Sequence, residues 1–92
     1  MRPMDLVEAH THAADHRAEI EASTMCGCFF CCEVFVAGAV TRWVEGGRTA
    51  LCPRCGTDAV LGDAIGVAMK RPFLEKMQAR WFPGARKMRS RG

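Results

Sequence analysis

Four of the six cysteines fall into two equal hooks. Cys28 and Cys31 have two residues between them, as do Cys52 and Cys55, and twenty residues separate the hooks. A two-residue gap lets one tight turn aim both thiolates at a single ion, and two such turns complete a tetrahedral zinc site. The second hook reads Cys52-Pro53-Arg54-Cys55-Gly56. Proline fixes one backbone angle of the turn, and glycine tolerates the positive φ at which such turns close.

The rest of the chain needs such a staple. At 92 residues it is one small domain. A chain of that length buries only about two-thirds of its unfolded surface. Structural zinc contributes an apparent ~10–16 kcal/mol in zinc-finger peptides, against a net domain stability of roughly 5–15 kcal/mol. A disulfide framework is the competing use of six cysteines, and it requires an oxidising compartment. The opening MRPMDLVEAHTH has no apolar core and no small-residue cleavage site, so no signal peptide is expected. The longest apolar run, Val34 to Val40, is far short of the ~20 residues of a membrane span. A cytoplasmic location with reduced thiols follows as the expectation.

Six cysteines compete for four ligand places. Cys28, Cys31, Cys52 and Cys55 have the matched gaps, and Cys26 is the substitute, since Cys26 with Cys31 leaves a four-residue gap that zinc sites also use. Cys32 adjoins Cys31 and points elsewhere. Cys26 and Cys32 read as small buried hydrophobes, or alternatively as redox thiols beside the metal. His12 and His16 are four apart and share a face if the segment is helical, so a mixed site with one histidine is a further alternative.

Four thiolates leave no open position for water, so catalysis by the metal is not expected. The deaminase pattern of H-x-E followed by P-C-x-x-C is missing: Glu19 lies three residues after His16, and Leu51 precedes Cys52. No histidine follows His16, which argues against a histidine–metal finger nuclease. No serine–histidine–acid layout and no glycine-rich phosphate loop is present. The chain reads as a non-enzyme.

Periodicity places the elements around the hooks. Asp5 caps a helix whose apolar positions run through Leu6, Val7, Ala13 and Ile20 to an end near Ala22. Cys26 to Phe35 reads as a knuckle with short extended arms, with Phe29, Phe30 and Phe35 as apolar mass beside the metal. A second short helix carries Val36, Val40, Trp43 and Val44 and stops at Gly46-Gly47, with Trp43 packed between the hooks. Thr49 to Leu51 and Asp58 to Gly62 form strands that pair around Cys52 and Cys55. A last helix starts at Pro72, shows the stripe Phe73, Leu74, Met77 and Trp81, and ends at Pro83-Gly84. The expected fold is therefore α+β: a small zinc ribbon or treble-clef-like domain over residues 1–83 with flanking helices, followed by a disordered basic tail over 84–92.

Charge is distributed unevenly. Residues 1–45 carry three basic and seven acidic side chains, residues 46–69 balance, and residues 70–92 carry eight basic and one acidic. A cationic C-terminal end suits an anionic partner. Lys76 and Arg80 lie four apart on the helix side away from Phe73 and Met77, and Arg86 and Lys87 extend the track, with Lys70, Arg71, Arg89 and Arg91 around them. Phosphate contacts from these residues are the nucleic-acid alternative. No exposed aromatic platform for bases accompanies them.

The run from Ser23 to Phe82 resembles a family of small bacterial cytoplasmic zinc-knuckle proteins. The family pattern is S-x-x-C-G-C-F-x-C, then F, then W, then T-A-L-C-P-x-C-G-x-D-S-V-I-G, and a helix closing on W-F. This chain has STMCGCFFC, Phe35, Trp43, TALCPRCGTDAVLG and Trp81-Phe82, with His12 and Arg17-Ala18-Glu19-Ile20 matching a leading H and R-x-E-I. Ala59 replaces a serine, Gly66-Val67-Ala68 replaces G-Y-P, and Cys32 stands where the pattern is aliphatic. The resemblance implies zinc, keeps Cys26 as a substitute ligand, and implies a bacterial cytoplasmic setting. It implies no reaction and no partner. The function expected is a non-catalytic interaction module held by one structural Zn2+, with nucleic-acid binding and redox or metal sensing by Cys26 and Cys32 as alternatives. Neither a membrane nor a small-molecule substrate is expected as a partner.

Overall fold

A computed structural model describes residues 4–84. Helix α1 (Leu6–His10) and helix α2 (Arg17–Glu21) precede strand β1 (Met25–Cys28) and strand β2 (Val34–Val36). One 3-10 turn at Ala37–Ala39 leads to strand β3 (Trp43–Val44) and strand β4 (Thr49–Ala50). Strand β5 (Val60–Gly62), a second 3-10 turn at Asp63–Ile65 and helix α3 (Arg71–Trp81) complete the order. No helix among the described residues is long and apolar enough to cross a membrane.

Two antiparallel sheets form, one in the order β2-β1-β5 and one of β3 with β4. Cys26 lies opposite Phe35 on one side and Gly62 on the other. Residues opposite one another share a face, and neighbours along a strand alternate. The bare positions show what covers each face. A Cβ on Gly27 would lie 2.7 Å from Leu74 Cδ1, so α3 packs on the Gly27 face. A Cβ on Gly62 would lie 2.9 Å from Ser23 Cβ and 3.3 Å from Ile20 Cδ1, so the end of α2 packs on the other. The sheet is thus a thin middle layer, and the buried Ile20, Cys26, Phe29, Phe35, Val60, Leu61, Leu74 and Met77 fill the space around it.

The single N-terminal helix expected from periodicity is two helices. Asp15 takes a left-handed φ of 51°. Its N–H donates to Thr49 Oγ1 at 2.9 Å, and the His16 N–H donates to the Arg48 carbonyl at 2.8 Å. Those donors serve the β3–β4 hairpin rather than carbonyls one helical turn back, so the helix cannot run through. Asp5 caps α1 as expected, its carboxylate accepting from Glu8 N at 2.7 Å.

The helix expected across Val36 to Val44 is absent. A single 3-10 turn and β3 stand there instead, because Val40, Thr41, Trp43 and Val44 are β-branched or aromatic residues that favour a pleated chain. Gly46 and Gly47, with φ of 72° and 84°, form the tip of the β3–β4 hairpin rather than a helix stop. The 58–62 segment supplies a strand as expected, but β5 pairs with β1 and not with β4. β3 already occupies β4, and the free edge of β1 accepts β5. The last helix forms as read, with Pro72 in its first turn and Leu74 and Met77 buried. Residues 85–92, including most of the expected tail, lie outside the described residues.

Candidate metal centre

The two hooks fold into the same turn, built twice. In the first, Cys28 N donates to Glu33 O at 3.0 Å and Cys32 N to Cys28 O at 2.7 Å. In the second, Cys52 N donates to Thr57 O at 3.0 Å and Gly56 N to Cys52 O at 2.9 Å. The residue after each second cysteine is left-handed: Cys32 at φ 63° and Gly56 at φ 79°. Cys32 therefore fills the place glycine fills in the other turn, with its side chain buried at 2 % exposure. Sequence reading treats Cys32 as a spare thiol; aligning the two hooks residue by residue is the signal that reveals its backbone role.

Backbone N–H groups also point at sulfur. Phe30 N lies 3.3 Å from Cys28 Sγ, and Arg54 N and Cys55 N lie 3.3 and 3.4 Å from Cys52 Sγ. Such donors stabilise a thiolate. The first turn is further fastened to α3. Gln78 Nε2 donates to Phe30 O at 2.7 Å and Arg71 donates to Cys32 O at 3.0 Å. Gln78 is 1 % exposed, and nothing in the apolar pattern of the helix marks it.

The four sulfurs of Cys28, Cys31, Cys52 and Cys55 lie within 4.8 Å of one another. The close contacts run between turns, 3.6 Å for Cys28 to Cys55 and 3.7 Å for Cys31 to Cys52. A disulfide needs roughly 2.05 Å, and none is formed. A tetrahedral ion with metal–sulfur bonds of roughly 2.3 Å sets neighbouring sulfurs about 3.8 Å apart. The cluster fits that requirement, and four thiols with no disulfide form a site able to bind a metal ion.

Electrostatics favour a cation at its centre. Burial pushes the Cys28 thiol well above its ordinary range, aided by the charges of Cys31 and Cys52 and opposed by N–H donors from Cys31 and Phe30. Burial pushes Cys31 up to about 12, with the Cys52 and Cys55 thiols adding to it. Burial acts upward on Cys55 as well, but hydrogen bonds from Thr57, Cys28 and Cys52 outweigh it and hold that thiol below the usual value. Buried thiolates crowded this closely repel one another; a divalent ion removes that penalty.

Cys26 stays outside the cluster. It is fully buried in β1, and its thiol is pushed up to about 11 by burial and by the charge of Asp63. Neither histidine joins the sulfurs. His12 Nδ1 meets the Glu19 carboxylate at 3.0 Å. His16 is buried; its Nδ1 donates to His12 O at 2.6 Å and its Nε2 accepts from Ala50 N at 3.0 Å. Nε2 thus ties the start of α2 to β4, while Nδ1 fastens the α1–α2 link, so both ring nitrogens are committed. Among the described residues, no other three His, Cys, Asp or Glu groups come together as ligands.

Of the expected basic track, Lys70, Lys76 and Arg80 are exposed. Arg80 lies 4.3 Å over the Trp81 ring. Arg71 is engaged with Cys32 O and, at 3.4 Å, with Glu75. Arg86 and Lys87 lie outside the described residues. Trp81 is partly buried and stacks on His10 at 3.9 Å, and Phe82 packs against Phe29 and Phe30 at 5.7 and 5.0 Å. Trp43 is half-buried at the edge of the core, with the Arg17 guanidinium 4.4 Å above its ring.

Fold and site together define a small mixed helix-and-sheet domain with a cluster of four cysteines that could hold a metal ion. No family model, no curated protein and no solved structure matches the chain.

Proposed function

We propose that the four cysteines hold one Zn2+ in a closed structural site and that the chain is a non-catalytic interaction module. The observation that carries this reading is the set of sulfur separations, 3.6 and 3.7 Å between turns and none above 4.8 Å. Tetrahedral four-sulfur surroundings select zinc or iron among common metals. With all four positions filled by protein, no place is left for a reacting water. Both cysteine pairs sit in turns that lead into strands, β2 and β5, rather than into a helix. That supports a ribbon-like arrangement over a treble clef. A reduced, cytoplasmic setting agrees with six cysteines free of disulfides.

The test combines metal analysis with native mass of the purified full chain. One zinc per chain is the expected result. Iron in its place, or a chain that binds no ion and keeps its fold, would refute the assignment.

A second reading has its own support. Lys76 and Arg80 are exposed on the outer side of α3, whose inner side buries Leu74, Met77 and Gln78. The exposed Lys76 and Arg80, with the cationic sequence that follows the helix, then offer charges to nucleic-acid phosphates, and affinity should fall steeply with salt. A gel shift at two salt concentrations decides this; no shift at low salt ends the reading. A sensor built on Cys26 and Cys32 has less support, since both thiols are buried and reactivity needs access.

A further inference from the structure

We propose that the zinc-loaded centre is also a peroxide-responsive clasp, attacked first at Cys55 and locked open by a Cys28–Cys55 disulfide. The inference rests on the zinc reading above and moves redox sensitivity from the two non-ligand thiols to the ligands themselves.

The four ligands differ in access. Cys28 and Cys52 are fully buried, Cys31 is intermediate and Cys55 is exposed. A small oxidant arriving from solvent meets Cys55 first. The sulfur facing it across the turns is Cys28, 3.6 Å away. Cys52, its neighbour within the second turn, faces Cys31 across the turns at 3.7 Å, which leaves Cys28 as the sulfur opposite Cys55.

The chemistry balances with hydrogen peroxide as the oxidant. The Cys55 thiolate attacks one peroxide oxygen and the O–O bond breaks, giving a sulfenic acid and hydroxide. The Cys28 thiolate then attacks the Cys55 sulfur; the S–S bond forms and a second hydroxide leaves. Each sulfur has given up one electron, and peroxide has taken two. Only Cys31 and Cys52 then remain as thiolate ligands, so the chain loses its grip on the ion. Cys28 continues β1 of the three-stranded sheet, whereas Cys52 and Cys55 follow β4 of the two-stranded one. The event therefore exchanges a four-way joint between the sheets for a single covalent bond.

The test uses the zinc-loaded wild-type chain, with native mass recorded beforehand. One equivalent of hydrogen peroxide is added, thiols are trapped by alkylation, and disulfides are mapped by peptide mass, while a colorimetric chelator follows zinc. Cys28–Cys55 is expected as the first linkage, with zinc appearing in step with it and with Cys26 and Cys32 recovered as alkylated thiols outside any disulfide. A first linkage through Cys31, within one turn, or to Cys26 or Cys32 would overturn the proposal, as would retention of zinc in a large excess of peroxide. A Cys26→Ala variant is expected to release zinc at an unchanged rate; a several-fold fall would place the entry point on that buried thiol and refute Cys55. A starting sample without zinc would count against the function proposed above, and the disulfide map of that same sample would still decide the pairing.

Discussion

Gly56 and Cys32 hold equivalent places in two copies of one turn, yet only one of them is glycine. The left-handed backbone costs a residue with a Cβ roughly 1–2 kcal/mol. Gly56→Ala is expected to lower stability by about that amount, because a Cβ there would approach only the flexible end of Arg42, at 3.3 Å, and the penalty is one of backbone conformation. Urea unfolding of the zinc-loaded chain measures it, and an unchanged midpoint would contradict the equivalence of the turns. The cysteines separate by role in the same way. Cys28→Ser should abolish or sharply weaken binding of the ion, whereas Cys26→Ala should still carry one ion per chain by native mass. Loss of the ion from the Cys26 variant would return that residue to the ligand set. Hook spacing made the clustering of Cys28, Cys31, Cys52 and Cys55 legible. It could not show that Cys32 closes a turn, since an unpaired cysteine gives no sign of its backbone angle.

Helix α3 owes its position to polar as well as apolar contacts. Its apolar stripe was readable at three- and four-residue steps, but Gln78, between Met77 and Ala79, breaks no pattern and still holds the first turn through Phe30 O. Gln78→Ala removes a buried amide and leaves the part-buried Phe30 carbonyl without its donor, and is expected to cost roughly 1–3 kcal/mol. Lys76→Ala on the outer side should stay within about 0.5 kcal/mol. Equal effects in a denaturation series would mean the buried amide contributes nothing. Helix α2 is held by a comparable device. His16→Ala removes the acceptor for Ala50 N–H, and a loss of about 1–3 kcal/mol is expected by thermal unfolding. The break between α1 and α2 was hidden from the sequence because it is made by partners more than thirty residues away, Arg48 and Thr49. Strand pairing was hidden for a related reason. Local alternation located the segment that became β5, but which edge it joins depends on edges already taken.

At the scale of the whole molecule, the two small sheets of the described residues, of three and two strands, share one four-cysteine cluster and a modest core. The two-stranded sheet is too small for independent stability, and the three-stranded one has strands of only three or four residues. Chelation is therefore expected to remove most ordered structure in a single cooperative step, read as loss of far-ultraviolet circular dichroism. A spectrum unchanged after exhaustive chelation would show that packing alone suffices. The repeated turn has a further consequence. Each one is closed by its own backbone bonds within six residues, so it presents its two sulfurs as a self-contained two-toothed claw. The twenty residues from Cys32 to Leu51 act as a tether that turns capture by the second claw into an intramolecular event at high effective concentration. Cut at the exposed hairpin tip, the two pieces would have to find each other by diffusion, and tenacious retention of the ion would give way to concentration-dependent exchange.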